Sequence, residues 1–173
     1  MILAVDVQYR DQFGFCAGVL FASWQDAVVA ASLVRVTPEV GDYEPGAFYR
    51  RELPCILRLL EDVTAPLEAI VIDGYVFLDG HSRAGLGKHL YDALLGRIPV
   101  IGVAKSAFAG FPEGFEVFHG DSQRLLYVTA VGCAVAEAQA KVAAMHGPYR
   151  LPTLLKTVDR LCRQAALTDS WRL

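Results

Sequence analysis

Positions 1–36 hold three consecutive apolar runs rich in β-branched residues, separated only by short polar breaks. Residues 1–9 (MILAVDVQY), 14–24 (GFCAGVLFASW) and 27–36 (AVVAASLVRV) read as strands. Gly14 and the Gln25-Asp26 pair supply the turns, which predicts an antiparallel three-strand meander. A polar, Pro- and Gly-containing loop, 37–46, follows, and the helically spaced AFYRRELPCILRLLED comes after it. Pro54 within that run marks either a first turn or a kink.

Further along, strand and helix alternate. LEAIVID (67–73) is a short buried strand ending in an aspartate, 85–95 a helix, and PVIGVAK (99–105) another strand. This alternation requires crossover connections and parallel pairing. FEVFHG and RLLYVTAV give two more strands, 133–146 an Ala-rich amphipathic helix, and 152–166 a last helix. A mixed central sheet, an antiparallel three-strand meander plus parallel strands, flanked by helices, is the order expected of the ribonuclease H-like fold. The 173 residues show no repeat or linker and suit a single domain over 1–173.

At 54% apolar residues the chain is not disordered, and its apolar runs break before the length of a membrane span. Asp6 interrupts the apolar start, with no basic segment before it and no cleavage site after it, so a cytoplasmic protein is expected. Cys16, Cys55, Cys133 and Cys162 form no CxxC pair and lie in apolar contexts, the pattern of buried thiols in a reducing compartment. The net charge of −3 disfavours broad, unspecific duplex binding but suits a carboxylate metal site.

Three acids stand where a plain globular domain has little use for them. Asp6 lies between Val5 and Val7 in a strand, Asp73 ends the apolar run AIVI, and Glu52 follows two arginines on a largely apolar helix. A carboxylate in an apolar strand is costly unless paired or metal-bound. The ends of the first and fourth strands are neighbours in this fold, so Asp6 and Asp73 are expected to converge. Their hard oxygens suit Mg2+, with Mn2+ as the alternative. The plainer reading makes Asp73-Gly74 a turn dipeptide. Lys105 reads either as a phosphate contact or as a surface lysine, and Asp159 either as a fourth site carboxylate or as an exposed helix residue. His81 reads either as a phosphate or leaving-group partner or as a surface histidine.

Taken in order, these segments resemble the endonuclease V family. AVDVQY is similar to its first metal-binding strand, and YEPGAFYRRELP to its Tyr-x-Pro-Gly loop and Arg-Glu helix start. VIDG, GLGKHL, IPVIGVAKS, LLYVT and YRLPTLLKTVDRL continue the likeness over nearly the whole chain. The resemblance implies a metal-dependent endonuclease acting near deaminated adenine (inosine) in DNA or RNA. It implies cleavage of the second phosphodiester on the 3′ side. Asp6, Glu52 and Asp73 would hold the metal, Asp159 would support it, and Lys105 would contact phosphate. Tyr43, Pro45 and Gly46 would belong to a wedge replacing the extruded base. Phe48, Gly74, Gly85 and Leu86 would line the base pocket, with His81 nearby. Extrusion costs a few kcal/mol, less at a mismatch.

The chain also departs from the family pattern. Val76 replaces a second glycine in DGYVFLDGH, the loop appears one residue longer, TAVGC replaces a Ser-Gly-His stretch, and Glu44 puts an acid in the wedge. Val76 with Tyr75 is therefore expected to narrow the base pocket and weaken inosine preference. Two alternatives stay open. One is a nuclease of the same fold acting on branched or single-stranded nucleic acid. The other is a catalytically idle relative that binds nucleic acid.

Overall fold

The computed structural model describes residues 1–42, 44, 45 and 47–168. Among these, the elements run β1 (Ile2–Arg10), β2 (Phe13–Phe21), β3 (Ala31–Thr37), α1 (Tyr49–Leu60), β4 (Ala69–Asp73) and α2 (Leu86–Ala93). There follow β5 (Val100–Ala104), β6 (Glu116–Val117), β7 (Leu126–Val131), α3 (Val135–Ala143) and α4 (Thr153–Leu167). They form one mixed sheet in the order β3-β2-β1-β4-β5-β7-β6. β1, β4 and β5 are parallel at its centre, and the outer pairings are antiparallel. This is the ribonuclease H-like arrangement expected from the sequence.

Side-chain alternation along the strands sorts the core into two layers. Ile2, Ala4, Val71 and Ile101 pack with Val142 of α3 and with Leu154, Val158 and Cys162 of α4. Leu3, Val5, Ile70 and Ile72 pack on the other face with Cys55, Ile56 and Leu59 of α1 and Leu90 of α2. Three strands buried on both faces explain why their sequences are apolar without alternation.

Several boundaries differ from the sequence expectation for identifiable reasons. Gly14 lies inside β2, and the turn falls instead at Asp11, whose φ is 56°. A Cβ on Gly14 would come within 2.5 Å of Cys55 Sγ and 2.9 Å of Val40 Cγ1, so this glycine admits α1 rather than making a turn. β3 starts only at Ala31, because the Asp26 carboxylate accepts from the N–H groups of Ala22 and Ser23 and holds a loop. Val28, apolar in sequence, is 76% exposed in that loop. Pro54 is the sixth residue of α1, past its first turn, and the helix continues through it. β6 keeps two residues of the six expected. Beyond it His119 turns inward, its ring nitrogens 2.5 Å from the carbonyl oxygen of Tyr149 and 2.8 Å from that of Met145. All four cysteines are free, and Cys16, Cys55 and Cys162 are buried. Among the described residues no helix is long and apolar enough to cross a membrane.

Candidate active site

The parallel ladder between β1 and β4 runs from Ile2↔Ala69 to Val5↔Ile72 and stops. Asp6 and Asp73 are therefore the next residues on adjacent strands. β1 runs on beside β2 alone, with Asp6 opposite Ala17, so a cleft opens beyond Val5. β4 pairs with β5 one step further, at Asp73↔Val103, and Lys105 follows the end of β5. By alternation Asp6, Asp73 and Lys105 extend the rows that pack under α4, the helix carrying Asp159. Glu52 arrives from α1 on the opposite layer.

These side chains share two small cavities at the ends of the strands. One, of about 80 Å³, is lined by Asp6, Gln8, Glu52, Asp73 and Leu86. The other, of about 30 Å³, is lined by Asp6, Asp73, Lys105, Leu155 and Asp159. Asp6 is only 6% exposed. Burial first, then the charge of Asp73, lifts its pKa to about 6, against a hydrogen bond from Gln8 Nε2 at 3.3 Å. Glu52 is raised to about 7 by burial and by the charges of Asp73 and Asp6. Asp73 is also raised, by desolvation and then by Asp159, while Lys105 and Arg163 pull it down. Asp73 is the last residue of β4 and is itself exposed, so solvent screens part of its charge. Asp159 is held by Arg163 Nε at 3.1 Å.

Three carboxylates that mutually oppose ionisation are a donor set for a hard divalent cation, and their chemistry fits one. As they stand, no group of three His, Cys, Asp or Glu among the described residues is gathered tightly enough to hold a metal ion. The site is open by comparison with a coordinated set.

A larger cavity of about 640 Å³ adjoins the carboxylates and includes Glu52 and Asp73 in its wall. Phe48, Gly74, Gly85 and Leu86, the expected base-pocket residues, all line it. Gly85 is required there, since a Cβ would come within 2.7 Å of the Tyr75 carbonyl oxygen. His81 lines none of the three cavities. Its ring stands edge-on to Phe115 at 5.4 Å, in a loop held by the Asp79 carboxylate. Val76 does not line the cavity either. It is fully buried against α1 and α2, which overturns the expectation that it narrows the pocket. Pro45 is exposed, and Tyr43 and Gly46 lie outside the described residues. The acid at Glu44 is paired with Arg50 at 2.8 Å.

Sequence reasoning placed Tyr75 beside the pocket but missed Phe108 and Phe111, which join it in this wall. Tyr75 packs 5.0 Å from Phe108 and 5.1 Å from Phe111, and its hydroxyl donates to the Ser106 carbonyl. Phe108 and Phe111 sit among glycines and a proline, where no periodicity marks them; only two large aromatic residues in a loop gave a signal. Gln8, which steadies Asp6, was likewise unmarked.

This strand order, with acids at the ends of its central parallel strands, places the chain in the ribonuclease H-like class. The endonuclease V family model matches residues 1–163. Endonuclease V of Streptomyces coelicolor is 33% identical over 98% of this chain and 80% of its own length. The crystal structure of endonuclease V from Streptomyces avermitilis superposes with a TM-score of 0.73 at 28% identity, covering 95% of this chain and 80% of that one. Endonuclease V of Ciona intestinalis, solved with a 23mer DNA containing an inosine, shares the fold at a TM-score of 0.78 and 17% identity, covering 95% and 84%. The chain belongs to the endonuclease V family.

Proposed function

We propose that this protein is a magnesium-dependent endonuclease that cuts DNA or RNA near deaminated adenine. The observation carrying it is the cavity where Asp6, Glu52 and Asp73 meet, opening beside a 640 Å³ cavity large enough for an extruded base. The inosine-containing DNA bound by the Ciona relative supports the substrate class. Asp6, Glu52 and Asp73 would hold Mg2+ or Mn2+. Such an ion, when bound, polarises the phosphodiester and supplies hydroxide at neutral pH.

The chain's own residues do the rest. Lys105 lines the cavity of Asp6 and Asp73, where its charge would neutralise a phosphate drawn toward them. Arg163 holds Asp159, which keeps a further negative charge at the rim. Phe48, Tyr75 and Phe108 offer apolar surface to the extruded base, and Gly74 and Gly85, lacking side chains, leave backbone in the cavity wall. The reading includes one domain over 1–173 and a cytoplasmic setting, supported by the four free cysteines. The test is cleavage of inosine-containing and plain strands, DNA and RNA, with magnesium, manganese and EDTA. Metal-dependent cutting of the inosine strands is expected. Equal cutting of plain strands would favour another substrate, and no cutting by any combination would leave a binding relative.

A further inference from the structure

We propose that the outer face of α4, together with Tyr149, is a track for the phosphate backbone of a single nucleic-acid strand flanking the cut. The inference rests on the proposed function and extends it to the path of the substrate. α4 buries Leu154, Leu155, Val158, Cys162 and Ala166, leaving Lys156, Arg160 and Arg163 on its exposed side. Lys156 and Arg160 lie about 6 Å apart along the axis, and Arg163 continues the same line. The same helix carries Asp159, which lines the carboxylate cavity with Lys105 and is paired with Arg163 of the line.

Arg163 is paired with Asp159, whereas Lys156 and Arg160 differ from the helical lysines elsewhere in lacking a paired acid. Lys88 on α2 is paired with Asp92 and Lys141 on α3 with Glu137, each at 2.6 Å. Among the described residues neither Lys156 nor Arg160 has an acidic partner. Helix electrostatics do not explain Lys156 either, because it sits in the first turn, where the macrodipole disfavours a positive charge. The Lys156 ammonium instead lies 4.9 Å from the ring of Tyr149, which is 66% exposed. An exposed aromatic ring beside a row of cations is the combination that binds single strands, stacking a base while the cations follow the phosphates. Arg150 fixes the base of this ridge by donating to the carbonyls of Leu125 and Lys105.

The test compares wild type, Lys156→Gln/Arg160→Gln and Arg58→Gln/Arg97→Gln, which removes the same two charges from exposed positions elsewhere. Fluorescence anisotropy with plain DNA and RNA strands in EDTA reads binding, and cleavage of inosine strands with magnesium reads KM and kcat. Lys156→Gln/Arg160→Gln should weaken binding on the order of tenfold at low salt and flatten the log–log salt slope by roughly 1.4. KM should rise with kcat held within a factor of about two. Tyr149→Ala should weaken the wild-type protein's binding to single strands, and Arg58→Gln/Arg97→Gln should leave binding and KM unchanged. Unchanged melting temperatures verify folding. Equal losses in the two double variants, an unaltered salt slope, or salt-sensitive capture of a polyglutamate peptide but not of strands would overturn the track. Ridge-dependent binding without any cleavage would overturn the nuclease reading alone, and cleavage without ridge-dependent binding the track alone.

Discussion

Asp6→Asn is expected to stabilise the metal-free protein at pH 8 while lowering cleavage on the order of a thousandfold or more. The two effects share one cause. Asp6 is buried, its pKa is raised to about 6, and the raised Glu52, at about 7, lines the same cavity. Between pH 4 and 7 the folded protein therefore binds more protons than the unfolded chain. Its unfolding free energy falls as pH rises through that window and stays low above it. For Asp6 the loss is about 2 to 3 kcal/mol. Asparagine keeps the shape, removes one charge, and presents an amide to its carboxylate neighbours, so about 1 to 2 kcal/mol should return.

The wild type should recover the same stability by another route. Magnesium bound to the proposed site offsets the repulsion, and at a hundred times its dissociation constant it adds about 2.7 kcal/mol. Thermal melts at pH 5 and pH 8, each with magnesium and with EDTA, check all of this together. In EDTA the wild type should melt lower at pH 8 than at pH 5, and Asp6→Asn should shrink that difference. A wild type whose melting temperature ignores magnesium at pH 8 would sink the metal reading of these acids.

The order of strands and helices was legible because each strand carries its own apolar run, and the parallel centre is buried on both faces. Asp6 and Asp73 were legible for the same reason, since a charge stands out against such a run. Glu52 was harder, because a helix is polar on one side anyway, and only its place after Arg50 and Arg51 drew notice. Boundaries set by tertiary contact were not legible. Gly14 looks like a turn residue until Cys55 is seen pressed against it, and β6 ends because His119 meets carbonyls about thirty residues away in sequence. The aromatic wall was hidden because loop residues carry no period, and three-dimensional proximity alone joins Tyr75 to Phe108 and Phe111.

Val76→Gly should leave base preference unchanged and lower stability by about 3 kcal/mol. From sequence, a valine in place of a glycine beside the base pocket suggested a steric block that glycine would relieve. Its position argues the opposite. Val76 is fully buried, its N–H donates to Thr129 Oγ1 at 2.8 Å, and its carbonyl accepts from Gly85 N at 2.8 Å. Its Cγ2 lies 2.6 Å from where a Cβ on Gly87 would stand, so the valine fills the space that Gly87 leaves at the start of α2. Removing it empties that space and loosens the backbone that orients Tyr75 and Gly85. A drop of roughly 6 to 12 °C in melting temperature is expected for a chain of this length. Phe108→Ala should do the reverse. Phe108 is 54% exposed, so stability should change little, while the loss of an aromatic face in the cavity should weaken inosine-strand binding about tenfold. Melting curves and KM for inosine and adenine strands, measured on both variants, separate the roles. A Val76→Gly protein that melts normally and discriminates inosine more sharply would restore the steric reading and remove Val76 from the core.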